Sequence, residues 1–239
     1  MLRPWRPGQA PEWTLALAGD RLFAIARDTV TTRIEITVIP LASMIAFEWG
    51  SILLYSWFDL VWADPNLRHT RIEFNTVGDE YLRPLLAALR RATLDQTPPV
   101  INQRVPLMDD QIWTLPMKFA NMLNQTLLPD ERVYTYCFEP TLRPKWLRRR
   151  GREGLLWAVT NHHGLFIREP RESYPYGVVF TFCPRGEIHE AHVVATEQTA
   201  ELRITLGEPA FEVNGIFSLA RQAELIASIE PLTSQRAAV

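Results

Sequence analysis

The sequence predicts a mainly β protein with helices (α+β), built as two tandem barrels or sandwiches, each closed by a C-terminal amphipathic helix. Three observations predict it. Short runs rich in Val, Ile, Phe, Tyr and Trp are punctuated by Gly, Pro, Asn and Asp, the pattern of many strands joined by turns. The pattern occurs twice: Leu22-Phe23 matches Leu165-Phe166, the run 33–40 matches 177–184, and Ile72-Glu73-Phe74-Asn75 matches Phe211-Glu212-Val213-Asn214, at separations of 143, 144 and 139 residues. Each copy ends in a stretch with one apolar helical face. The expected division is a loose arm over 1–11, a first unit over 12–94, a linker over 95–116, a second unit over 117–232 with a short leading helix, and a tail over 233–239.

In the first unit, 12–18 and 21–27 read as a hairpin around Gly19-Asp20, since glycine supplies the positive φ of a tight turn. Residues 33–39 alternate Ile34, Ile36 and Val38 against Arg33, Glu35 and Thr37. Pro40 stops that run, because proline cannot donate to a ladder. Strands over 43–49, 52–62 and 70–74 follow, with a break near Gly50-Ser51 and a turn at Asp64-Pro65-Asn66. Asp79 is placed to cap a helix whose Leu82, Leu85, Leu86 and Leu89 form one buried face. Pro84 fits only in the first turn, and Arg90 and Arg91 suit the negative end of the helix dipole.

Met117 opens a short helix over 117–128, with Phe119, Met122 and Leu123 on its apolar side. The second unit then reads as seven strands over 132–138, 155–160, 165–168, 178–183, 188–194, 201–206 and 211–213. A closing helix over 218–229 takes Ser218 as its cap and turns Leu225, Ile226 and Ile229 inward. The Glu-x-Asn step marks the passage from last strand to helix in both units. A helix in that place suits the plugging of an open barrel end.

Seven strands followed by one helix resembles the pleckstrin-homology (PH) order. The wording of Tyr176-Gly177-Val178-Val179-Phe180-Thr181-Phe182-Cys183-Pro184 and of Phe47-Glu48-Trp49-Gly50-Ser51-Ile52-Leu53-Leu54-Tyr55 also resembles bacterial PH-like proteins, over 12–94 and 117–232. The resemblance implies two packed, near-orthogonal antiparallel sheets closed by a helix, and it brings no catalytic residues. The first unit departs from it with six strands instead of seven.

Composition narrows the function. At 47% hydrophobic and 22% charged, with net charge −2, the chain is globular and has no global pull toward nucleic acid. Cys137 and Cys183 sit in apolar strand runs and read as core thiols, and no secretory segment follows Met1, so a cytoplasmic setting is expected. The apolar run 41–63 is long enough to span a bilayer, but Glu48 and Asp59 fall inside it, at about 2.5–3.5 kcal/mol each at the centre of a span. It is read as two strands. Glu48 and Asp59 are read as strand-face or rim residues.

The run 143–152 holds six cations among ten residues. Lys145, Trp146, Arg148, Arg149, Arg150 and Arg152 are the candidate anion- or lipid-binding residues. By the PH resemblance they lie between the first two strands of the second unit, where phosphoinositide-binding members grip phosphates. Each basic residue near an anionic surface is worth about 1 kcal/mol. The favoured reading is nonetheless a solvated or self-associating loop. No base-reading element accompanies the run, which disfavours nucleic acid. Trp49, Trp57, Phe58 and Trp62 place large apolar groups on both faces of their strands, which makes them the candidate inter-unit or partner surface, a homodimer included. His162 and His163 read as an exposed turn. His189 and His192, three apart on a strand, point to opposite faces unless a bulge intervenes. The chain has no Gly-x-Ser-x-Gly, phosphate-binding glycine loop, Cys-x-x-Cys or His-Glu-x-x-His. The expectation is a non-catalytic scaffold without cofactor or metal that binds a protein or peptide. The alternatives are a peripheral binder of anionic headgroups and an enzyme with its site between the units.

Overall fold

The computed structural model describes residues 11–94, 109–142, 152–170 and 176–233. The first unit contains β1 (Glu12–Ala18), β2 (Arg21–Arg27), β3 (Ile34–Pro40), β4 (Met44–Ile52), β5 (Tyr55–Asp64), β6 (Asn66–Asn75) and α1 (Asp79–Leu94). Between the units lie α2 (Asp109–Ile112) and α3 (Met117–Thr126). The second unit contains β7 (Val133–Glu139), β8 (Gly154–Thr160), β9 (His163–Glu169), β10 (Gly177–Pro184), β11 (Ile188–Ala195), β12 (Thr199–Leu206), β13 (Phe211–Ser218) and α4 (Gln222–Thr233).

The strands form three open antiparallel sheets packed as layers, not closed barrels. A seven-stranded sheet runs β6-β5-β4-β10-β9-β8-β7, and the three-stranded sheets are β1-β2-β3 and β11-β12-β13. Side chains alternate across a strand, and the central sheet buries both faces. One face sets Phe47, Leu60, Leu165 and Phe182 against Leu22 and Ile39 of the first small sheet, Leu89 of α1, and Phe119 and Leu123 of α3. The other sets Trp157, Phe166 and Cys183 against Leu202, Ile204 and Phe217 of the second small sheet and Leu225 and Ile229 of α4. Burial on both sides explains why β8, Gly-Leu-Leu-Trp-Ala-Val-Thr, is apolar without alternation.

One order of elements is used twice. Three strands (β1–β3 or β8–β10) end at Pro40 or Pro184. A 3-10 turn follows (Leu41–Ser43 or Arg185–Glu187), then three more strands, a second 3-10 turn (Thr76–Gly78 or Leu219–Arg221) and a helix. The second unit adds β7 in front. The Glu-x-Asn match is out of step with this order. Asn75 ends β6, whereas Asn214 lies four residues inside β13, and Ser218 is the true counterpart of Asn75. The step therefore marks the strand-to-helix passage only in the first unit.

The units are joined by β4 and β10, paired antiparallel from Gly177 opposite Ile52 to Phe182 opposite Phe47. A second joint is buried. Arg90 of α1 reaches the carboxylate of Glu131 and the carbonyl of Thr126, and its guanidinium lies 4.5 Å from the Phe182 ring centroid. Glu131 Oε1 also accepts from Thr160 Oγ1 at 2.7 Å and stands 3.0 Å from His163 Nδ1. Burial alone would raise the Glu131 carboxyl; His163, Arg90 and Thr160 outweigh it and hold the group well below the usual carboxylate range. Arg90 thus anchors one unit in the other, where the sequence suggested only a dipole partner.

Several expectations are corrected. Gly50 is no break: it lies within β4 opposite Trp57, and a Cβ there would meet the indole at 2.0 Å. The turn falls at Leu53, which takes φ 55°. His163 is fully buried, drawn in by Glu131. Ser218 does not cap a helix; its N–H and hydroxyl both donate to Glu139 Oε2. The helix begins three residues after the turn opens, which leaves Ile226 exposed and turns Ser228 inward with Leu225 and Ile229. Rather than plugging a barrel end, α4 packs against β11 and β7. Ile112 and Leu115, inside the expected linker, are buried in the core. The side chain of Asp79, the arm over 1–10, the linker over 95–108 and the tail over 234–239 lie outside the described residues.

Candidate functional site

The β4–β10 joint places polar residues of both units on one rung of the central sheet. Thr181 of β10 stands opposite Glu48 of β4, Glu48 opposite Asp59 of β5, and Asp59 opposite Arg71 of β6. Cross-strand partners share a face, so this row of four projects to one side. Arg168 of β9 reaches the row diagonally, and His69 of β6 joins it from the rim.

Each carboxylate is held by its own arginine. Arg71 grips Asp59 as a fork, Nε to Oδ1 at 2.9 Å and Nη2 to Oδ2 at 2.5 Å, and His69 Nε2 lies 3.1 Å from Oδ1. The Asp59 hydrogen bond raises the Arg71 pKa above its ordinary value, fixing the guanidinium as a cation. Arg168 Nη2 donates to Glu48 Oε2 at 3.0 Å and to Thr181 Oγ1 at 2.6 Å, and Thr181 Oγ1 donates to the same Glu48 oxygen at 3.0 Å. Trp57 Nε1 donates to Glu48 Oε1 at 3.2 Å, made possible by the close approach of its ring to Gly50. Arg168 Nε is buried and has no acceptor among the described residues.

Above the row lies a cleft of about 410 Å³. Its walls are Glu48, Asp59 and Thr181 of the row with Arg168 and His69, then Val61 and Ala46, and the first half of β13 from Phe211 to Asn214. β13 is the outer strand of its sheet, so one row of its backbone groups is unpaired by other described strands. The cleft therefore offers charged side chains on one wall and a strand edge on the other. Asp59 accepts from Arg71, and Glu48 accepts from Arg168, Thr181 and Trp57, so the row presents a fixed pattern of charge to the cleft.

The residues singled out in the sequence are spread more widely. Lys145, Trp146, Arg148, Arg149 and Arg150 lie outside the described residues. Arg152 closes an isolated bridge with Leu142 and donates to Glu139 at 2.7 Å, so that cation is internally committed. Phe58 and Trp62 are buried in the core cluster that residues of both units build. Trp57 is buried on the opposite face beneath Tyr55 and Arg71. Trp49 meets the other unit, stacking on Phe180 with ring centroids 5.4 Å apart. A bulge does interrupt β11 between Ile188 and Glu190, yet His189 and His192 sit by different glutamates, Glu208 and Glu190. Among the described residues no group of three or more His, Cys, Asp or Glu is placed to hold a metal ion. No described helix is long and apolar enough to cross a membrane.

In the sequence Glu48 and Asp59 read as strand-face or rim residues, and Arg71, Arg168, Thr181 and His69 carry no local mark of a site. The available signal was charge inside apolar strands; what made it a site is a register between units 120 and more residues apart. No protein-family model and no curated protein matches this chain.

Proposed function

We propose that the chain is a tandem PH-like binding protein without catalytic activity, and that its ligand is a protein segment or peptide lying extended in the cleft between the units. The repeated order of three strands, turn, three strands, turn and helix supports the family reading. So does β7, which brings the second unit to the seven strands and helix that the resemblance implies. The observation that carries the ligand reading is the unpaired edge of β13 facing the cleft. An extended peptide adds to such an edge through main-chain hydrogen bonds, and side-chain pockets then supply selectivity. Here the opposite wall supplies Glu48, Asp59, Arg168 and Thr181. A reducing, cytoplasmic setting is supported by Cys137 and Cys183, both buried free thiols.

The test is selection of peptides from a random display library, followed by binding measurements on proline variants through 211–214. Folding of each variant is verified by circular dichroism. Folded variants that lose an outward N–H are expected to lose the selected peptides. Unchanged binding by every folded variant sinks the reading. Retention on anionic vesicles that disappears when Arg148, Arg149 and Arg150 become Ala would favour the headgroup alternative instead.

A further inference from the structure

We propose that the free edge of β3 pairs with β3 of a second copy of this chain, giving a twofold dimer with one continuous six-stranded sheet. β3 is the outer strand of the sheet β1-β2-β3, and no described strand pairs with its far side. Its alternation is turned outward. Ile39 points into the core, while Ile34, Ile36 and Val38 are 61%, 58% and 37% exposed. On the same face, Ile25 and Phe23 stand opposite Ile36 and Val38 on β2 and are only partly exposed. Apolar exposure is therefore greatest at the edge and falls inward, which calls for a partner beside β3 rather than over the middle of the sheet.

Of the usual edge defences the strand carries one charge, Glu35. It has no lysine and no bulge, and its proline is its last residue. The molecule also shows what this position does when a partner is present. β10, the counterpart of β3 in the second unit, spends the same edge on β4. A joint of that kind between two chains would need β11, the counterpart of β4, but α4 already packs against β11. Another β3 presents an edge of equal length with the same outward apolar row of Ile34, Ile36 and Val38, which makes the edge self-complementary.

Charge sets the register. With the twofold axis at Ile36, that residue faces its own mate, Ile34 faces Val38, and Glu35 faces Thr37. An axis at Glu35 would oppose two carboxylates, which disfavours it. The chosen register extends the apolar row Ile25–Ile36 across into the second copy. An isologous contact of this kind closes at two chains. It is independent of what the cleft binds.

The experiment is sedimentation equilibrium on the full chain, with Ile36→Lys as the variant. A wild-type dimer and a folded, monomeric Ile36→Lys protein are expected, because the substitution sets two like charges face to face. A monomeric wild type, or a species that grows beyond two chains with concentration, overturns the proposal. Should Ile36→Lys not fold, single-cysteine crosslinking decides. Opposed residues in an antiparallel pair lie about 4.5–5.5 Å apart at Cα, within disulfide reach. Ile36→Cys is expected to crosslink to its mate on oxidation and Ile34→Cys to stay unlinked, the buried native thiols taking no part. Crosslinking of Ile34→Cys in preference to Ile36→Cys contradicts the register and the proposal with it.

Discussion

Glu48 and Asp59 stand directly opposite one another on β4 and β5, two carboxylates on a single rung. Like charges in that relation destabilise a sheet, and the rung persists because Arg168 and Arg71 flank it from either side. Replacing Arg71 with Met leaves the buried Asp59 without its main partner. The expected loss is about 1–3 kcal/mol, below the range for a fully buried pair because Arg71 is partly exposed. Asp59→Asn in the same background should recover part of it. Urea unfolding of the two singles and the double checks both statements.

Arg90 is held more deeply. Arg90→Met strands Glu131 as an unpaired charge in the core between the units, at an expected cost of about 3–5 kcal/mol. Adding Glu131→Gln removes the stranded charge and should return a substantial share. A denaturation midpoint for Arg90→Met equal to wild type would show that the anchor contributes nothing.

The same cluster sets an acid limit. Burial, and then the charge of Arg90, push the His163 pKa down from 6.5 to about 4. The unfolded chain therefore takes this proton before the folded one does. Stability from neutral His163 is complete above pH 6.5 and is lost as pH falls from there toward 4. The depressed Glu131 carboxyl adds a loss of the same sign below its ordinary value of 4.5. His163→Gln should flatten the stability profile between pH 6.5 and 4, measured by urea unfolding at a series of pH values.

Burial pushes the thiols of Cys137 and Cys183 up to about 12, so neither is a useful nucleophile in the folded state. Labelling by a disulfide reagent at neutral pH should be as slow as global opening and should become rapid in denaturant. Fast labelling of either cysteine in the native protein would contradict their placement in the core.

What could be read from the chain was local. The first hairpin runs over 12–18 and 21–27 as its turn signal indicates, with Gly19 at φ 58°. Pro40 and Pro184 end their strands at matched positions, as the run-to-run match implies. Tertiary contacts decided the rest. Gly50 resembles a break in isolation and is instead the space Trp57 needs. His163 looks like a turn residue and is drawn inward by Glu131, a partner 32 positions away. The polar rung depends on the pairing of β4 with β10, a register between units that no local pattern specifies.

The cleft beside β13 is the proposed place of the ligand. Backbone-amide NMR mapping during titration with a display-selected peptide tests this most directly. The predicted result is a contiguous set of perturbed amides over 211–214, joined by Glu48, Asp59 and Arg168. Perturbations confined to the run 143–151, with β13 and the rung silent, would contradict it.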